Sequence, residues 1–308
     1  MVAIKIKHLT KNFAGFKAVD NLSLELSENR VLGFLGPNGA GKTTSLRMLV
    51  GLSRPTGGEI EIAGEKVIFG KSTVNKFVGY LPERPSFYNW MTGREYLGFV
   101  ADIFGLKDSE KRNRITELLK KVSLTAFGSK KISTYSNGMK QRLGIAQAII
   151  NNPKVLIMDE PVSALDPIGR REVLSIINNL KKQMTILLST HILSDVDRVC
   201  DDIAILDRGK LIISSSLENL KANYASLIIE VELDQDSPDI LKKISKQPWV
   251  TKAEKNNQII KIWIKDREVM SKNIALNFFA KEDVGVLNFG LKLPEVEDLF
   301  VSILEGQK

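Results

Sequence analysis

The stretch GPNGAGKTT at residues 36–44 sets Gly36, Gly39, Gly41, Lys42 and Thr43 in the spacing GxxxxGK[ST]. An apolar run, 31–35, leads into it and a helix-compatible stretch, 44–50, leads out, which is the strand, loop and helix that its chemistry needs. Glycines lack a Cβ, so the backbone can curl until successive N–H groups converge, and the helix behind adds the positive end of its dipole. The result is a cradle for polyphosphate. Asn38, Gly39, Ala40, Gly41 and Thr44 are expected to line it. Lys42 would set a point charge against the β and γ phosphates, and the Thr43 hydroxyl would ligate Mg²⁺. The expected ligand is a nucleoside triphosphate.

A second motif, VLIMDEP at 155–161, ends a run of apolar residues in Asp159 and Glu160. In a doubly wound fold that end of a strand lies beside the phosphate loop. Asp159 is expected to reach Mg²⁺ through water, and Glu160 to polarise the water that attacks the terminal phosphate. A plain pair of solvated acids is the simpler alternative, and the four apolar residues leading into them oppose it.

These groups need a scaffold, and the hydrophobic pattern supplies one. Strands are expected at 2–8, 21–26, 31–35, 59–62, 77–81, 154–158, 185–189 and 203–207, with a mostly helical stretch over 92–150. The runs VLIMD and TILLST are apolar without alternation, as strands buried on both faces of a parallel sheet should be. Helical segments starting near 44 and 168 separate such strands, which predicts an α/β fold with a parallel sheet wrapped by helices.

With 308 residues, the chain has room for one large domain and a smaller one. No apolar run approaches the roughly 18 to 20 residues that span a bilayer, and the start MVAIKIKHLTKNF lacks the apolar core of a signal peptide. A single cysteine, Cys200, excludes an internal disulfide and suits a reducing compartment. The net charge of +8 is uneven: residues 1–216 hold 31 Lys and Arg against 21 Asp and Glu, whereas residues 217–308 hold 13 against 15. The positive part is the part that must hold polyphosphate. The densest basic stretch, 107–131, spaces Lys111, Arg112, Arg114, Lys120 and Lys121 among apolar residues at helical intervals, without interleaved stacking aromatics. It reads as a solvated helix face, and no nucleic-acid partner is expected.

Between the two motifs, YSNGMKQR at 135–142 resembles the signature LSGGQ of the ATP-binding subunits of ABC transporters, keeping Ser136 and Gly138 and carrying Asn137 and Met139 at the third and fifth places. The resemblance covers residues 1 to about 215. It implies a P-loop ATPase core with a mixed sheet and a helical subdomain over about 84–150, a cytoplasmic protein held peripherally on the inner face of the membrane, and ATP with Mg²⁺ as ligands. It further implies that Ser136, Gly138 and Met139 contact the γ phosphate bound to a second copy, so that two chains close head to tail as a homodimer on two nucleotides. Asp166, in SALD at 163–166, resembles the aspartate at the dimer seam. His191, after TILLST, resembles the switch histidine that senses the γ phosphate. Phe13 resembles the aromatic residue that stacks on adenine, with Val19 as a second apolar contact. The implied catalytic set is therefore Glu160, His191 and Lys42, and the implied metal set Thr43, Glu83 and Asp159.

Two positions depart from the family pattern. Glu83 stands where a glutamine is usual, which keeps an oxygen ligand for Mg²⁺ and adds negative charge near the γ phosphate. Met139 replaces a glutamine whose amide could donate a hydrogen bond that a thioether cannot. Past Glu83, the segment RPSFYNWMTGREYL crowds Phe87, Tyr88, Trp90, Met91 and Tyr96 together, which marks a docking surface. In the family this region receives a short helix of a separate transmembrane permease.

Residues 217–308 form the expected second domain: strand 227–233, helix 238–245, strands 250–255 and 259–264, helix 267–280, strand 284–289, and a last helix over 295–304. The order βαββαβ predicts a small α+β ferredoxin-like sandwich. It resembles the accessory domain of ABC-2 type exporters, which implies an ATPase driving a separate permease. Two other classes compete. A soluble cassette ATPase of DNA repair or translation would carry long heptads or a second cassette, and this chain has neither. A nucleotide-gated regulatory module with little turnover would not need both Glu160 and His191.

Overall fold

The computed structural model describes residues 1–292 except 72, 224–226, 236, 238, 267 and 283. The chain divides into two units, Met1–Leu217 and Glu218–Lys308.

The first unit opens with a long hairpin, β1 (Val2–Phe13) and β2 (Phe16–Ser27), followed by β3 (Val31–Leu35), α1 (Lys42–Leu49), β4 (Gly57–Ile62), β5 (Glu65–Lys66) and β6 (Val78–Leu81). Three helices come next, α2 (Gly93–Ile103), α3 (Asp108–Lys121) and α4 (Asn137–Ala148). The unit closes with β7 (Val155–Met158), α5 (Pro167–Leu180), β8 (Thr185–Thr190), α6 (Leu193–Val199), β9 (Asp202–Asp207) and β10 (Lys210–Ser216). One sheet is antiparallel, in the order β2-β1-β4-β5; the other has the order β10-β9-β3-β8-β7-β6 and is parallel except for β10. All of β3, β7 and β8 is buried, which is why their sequences are apolar without alternation. The core fills the space around α1, where Leu46, Met48 and Leu49 meet Ile4, Ile6 and Leu24 of the antiparallel sheet and Phe34, Ile157, Leu187 and Ala204 of the parallel one.

Local sequence sets the helix starts. Thr92 and Glu95 form a reciprocal capping box at α2, each side chain accepting the other's backbone N–H. Ser136 caps α4, and Asp166 caps α5 with Pro167 at its first position. Cys200 is buried, its Sγ 2.9 Å from where a Cβ on Gly33 would lie, and burial pushes its thiol above the usual range.

The hairpin runs well past the strands expected at 2–8 and 21–26. Positive φ at His8 and Asn21, with register shifts between Ile6 and Leu9, absorbs the breaks in alternation that hide it in the sequence. The edge strands β5 and β10 also lie outside the expected set: β5 is only two charged residues long, and β10 buries none of its residues and ends in three serines.

In the second unit α7 (Leu217–Asn223) leads to β11 (Leu227–Leu233), α8 (Ile240–Ile244), β12 (Val250–Asn256), β13 (Ile259–Ile264), α9 (Glu268–Ser271), α10 (Ile274–Lys281) and β14 (Val286–Lys292). The sheet is antiparallel in the order β12-β13-β11-β14, the topology of a ferredoxin-like sandwich. Its core joins Ile229, Val231, Ile260 and Ile262 of the sheet to Ile240, Ile244, Val269 and Phe279 of the helices. The helix expected over 267–280 breaks in two at Asn273, which takes φ 55°. The helix expected over 295–304 lies outside the described residues. Among the described residues no helix is long and apolar enough to cross a membrane.

Candidate functional site

Strand order brings the chemistry together. β8 lies between β3 and β7, with β6 beyond β7, and registers Leu35 with Thr190, Leu188 with Met158 and Met158 with Leu81. The carboxyl ends of four parallel strands thus share one edge, and each emits a different group: the phosphate loop after β3, His191 after β8, Asp159 and Glu160 after β7, and Glu83 after β6. They line a cleft of about 410 Å³, whose walls include Phe13, Asn38, Gly39, Ala40, Gly41, Lys42, Thr43, Thr44, Glu83, Glu160 and His191.

The loop needs its glycines at two places for reasons beyond φ. A Cβ on Gly36 would lie 2.3 Å from the Leu206 carbonyl oxygen, and one on Gly41, at φ 98°, would lie 2.4 Å from that of Ala18. The turn after β9 braces the loop from behind, the Gly209 N–H donating to the Ala40 carbonyl at 3.1 Å. Lys42 is buried, its ammonium donating to the Gly36 carbonyl at 2.7 Å and standing 3.5 Å from Glu160 Oε1.

The two acids have different surroundings. Asp159 is buried, and its Oδ1 accepts from Thr43 Oγ1 at 3.1 Å and from Ser189 Oγ at 2.7 Å. Hydroxyl and carboxylate side by side form a hard-oxygen pair of the kind Mg²⁺ takes alongside phosphate oxygens. Among the described residues there is no group of three His, Cys, Asp or Glu that could cage a metal alone. Glu160 turns out of the strand at φ 46°, held by its N–H donating to Ser189 Oγ at 2.9 Å. Its carboxylate meets Lys42 on one side and His191 Nδ1, at 2.9 Å, on the other. A carboxylate only accepts, so Nδ1 carries the hydrogen of that contact. One buried carboxylate thereby ties loop lysine and strand-end histidine to a single point where a water could be polarised.

Ser189 links the two acids and was not singled out in the sequence; its signal is a lone polar residue inside the apolar TILLST. Phe16, Ala18 and Ser163 also line the cleft. Val19 is corrected by the structure: it is fully buried in the core, 3.4 Å from where a Cβ on Gly41 would lie, so it underlies the loop while Phe16 and Ala18 face the cleft.

Ser136, Gly138, Met139 and Asp166 do not line the cleft. Ser136 accepts the Met139 N–H at 3.3 Å, Asp166 accepts the Gly169 N–H at 2.7 Å, and a Cβ on Gly138 would sit 3.8 Å from the Gly169 Cα. The first turns of α4 and α5 therefore lie against each other as a separate surface. Elsewhere, Tyr88 and Trp90 are 51% and 69% exposed and tilt together at 6.1 Å, joined by exposed Phe99 and Ile103 on α2, while half-buried Phe87 packs edge-on against Tyr96 at 5.0 Å.

With this geometry, comparison with known proteins is unambiguous. The family described as ABC transporter matches residues 19–163. An uncharacterized ABC transporter ATP-binding protein of Bacillus subtilis (strain 168), YxlF, is 37% identical over 303 residues, covering 98% of this chain and 100% of its own length. The bacitracin transport ATP-binding protein BcrA of Bacillus licheniformis is 36% identical over 98% of this chain and 97% of its own. A dimeric ATP-binding cassette in a post-hydrolysis state, bound to ADP and Pi, superposes with a TM-score of 0.63 at 26% identity, covering 70% of this chain and 98% of that one. The chain belongs to the ABC transporter family as an ATP-binding subunit, and it is an ATPase.

Proposed function

We propose that the chain is the energising subunit of an ABC-2 type exporter, in which ATP binding closes a head-to-tail homodimer and hydrolysis reopens it to drive a separate transmembrane permease. The observation that carries this reading is the split between a cleft built from Lys42, Thr43, Glu160 and His191 and a second polar surface, Ser136 with Asp166, that does not line it. The helix start at Ser136 suits a phosphate, and only a second copy would bring one.

Each residue then has a role. The loop N–H groups and Lys42 hold the β and γ phosphates, Phe13 stacks on adenine, Glu160 takes a proton from the attacking water, and His191 reports the γ phosphate through its contact with Glu160. Mg²⁺, held by Thr43, Asp159 and Glu83 with phosphate oxygens, would neutralise charge on the leaving phosphate. Residues 1–216 act as the ATP-binding domain, with 84–150 as its helical subdomain, and 217–308 as an accessory domain. The protein works on the cytoplasmic face of the membrane, with the permease docking near Phe87, Tyr88 and Trp90. A role in transport draws support from the relative named for bacitracin transport, which aligns over nearly its whole length.

Co-purification tests the partner. From detergent-solubilised membranes of cells carrying its neighbouring genes, the chain should come down with a multi-span membrane polypeptide. The double change Tyr88→Ala and Trp90→Ala should break that association. Recovery with ribosomes or nucleic acid instead would overturn the reading.

A further inference from the structure

We propose that Phe16 is a second base-contacting residue, forming with Phe13 a two-ring floor for a purine at the end of the cleft away from the phosphates. The inference rests on the reading of the cleft as a nucleoside triphosphate site. Phe13 and Phe16 flank a two-residue turn, Ala14 and Gly15, which take φ of 42° and 90°. Both central residues at positive φ are the mark of a tight hairpin turn whose twist matches its strands. The strands register Phe13 directly opposite Phe16. Side chains so paired leave the same face of the hairpin with Cβ atoms about 4.5–5.5 Å apart. Both rings thus stand on that one face of the hairpin.

That surface faces the cleft, since both residues line the cavity that holds Lys42 and Thr43. It is also bare: Phe13 is 50% exposed and Phe16 is 64% exposed. One face of Phe13 is already occupied, because the Lys11 ammonium sits 4.7 Å from its ring centroid and is fixed there by donating to the Arg54 carbonyl at 2.7 Å. A base stacked on Phe13 is thus directed to the remaining face, and Phe16 extends the area it meets. The hairpin contributes Phe13, Phe16 and Ala18 to the cleft, side chains that offer stacking area and no hydrogen bond. Selection there follows ring size, purine over pyrimidine.

A cross-strand aromatic pair can also steady a hairpin, and the test must separate that from contact with the base. The probes are ATP, CTP and inorganic tripolyphosphate, with Mg²⁺, titrated into the full chain and its Phe16→Ala and Phe16→Tyr variants. Phe16→Ala should weaken ATP about five- to tenfold, the lower range for loss of one stacking ring. It should leave tripolyphosphate affinity unchanged and narrow the preference for ATP over CTP. Phe16→Tyr should restore both. Unchanged ATP affinity in Phe16→Ala overturns the proposal, and so does an equal loss for ATP and tripolyphosphate, which would mean that Phe16 only props the hairpin. If the wild-type chain fails to bind tripolyphosphate at all, the reading of the loop falls first and the proposal with it.

Discussion

Every buried polar or charged side chain among the described residues, from Lys42 to Asp195, lies in the first unit, whereas the second unit buries only apolar side chains. Burying a polar group without a partner costs about 1–3 kcal/mol in proteins, so a chain tolerates it where something is gained. In the first unit the acids at the end of β7 are held by their neighbours: Thr43 and Ser189 on Asp159, Lys42 and His191 on Glu160. In the second unit Ile229, Val231, Ile260, Ile262 and Phe279 satisfy one another by packing alone. The first unit is built to do chemistry in its interior; the second is built to fold, and whatever it does it must do with its surface.

Four substitutions sharpen or break this contrast. The largest effect belongs to Lys42→Ala, which removes the one ammonium on the loop. Steady-state ATP hydrolysis should fall by about a hundredfold or more, and a variant that retains most of its turnover would dissolve the distinction. Phe279→Ala, next in size, empties the middle of the second core, where Phe279 meets Phe278 at 5.3 Å and Phe289 at 6.4 Å. The second unit should lose about 3–5 kcal/mol in denaturant unfolding while ATP affinity stays at the wild-type value. A matching loss of ATP affinity would show the units to be one energetic system.

Ser189→Ala probes the buried polar network itself. It removes a donor from Asp159 and the acceptor of the Glu160 N–H, so stability should drop by about 1–3 kcal/mol and turnover should fall with it. Thermal melts beside an ATPase assay would show whether only one of the two moves. Smallest is Thr92→Ala, which breaks the capping box of α2 at a cost of about 1 kcal/mol. Hydrolysis should not change, because that helix start is remote in role from the strand ends.

The sequence carried the two units unequally. Phosphate-loop geometry constrains residue type so tightly that Gly36, Gly41, Lys42 and Thr43 could be read directly, and the unbroken apolar runs betrayed β3, β7 and β8. Ser189 was not legible, because one serine in a buried run looks like tolerated polarity until the fold sets it between two acids. The length of the β1–β2 hairpin was hidden by positive φ at His8, Asn21 and Ala14, conformations that no side-chain pattern announces. Val19 misled for a related reason: adjacency to Ala18 in sequence says nothing of which neighbour faces the cleft and which faces the core. In the second unit the order of elements was legible from alternation, yet the break at Asn273 was not.

The central claim is that one chain holds only half of a working site. The direct test is the mass in solution of the Glu160→Gln variant, by size-exclusion chromatography with light scattering, with and without ATP and Mg²⁺. The account predicts a monomer in the absence of nucleotide and a dimer in its presence, with the dimer abolished when Ser136→Ala is added. A variant that binds ATP to saturation and stays monomeric would contradict it.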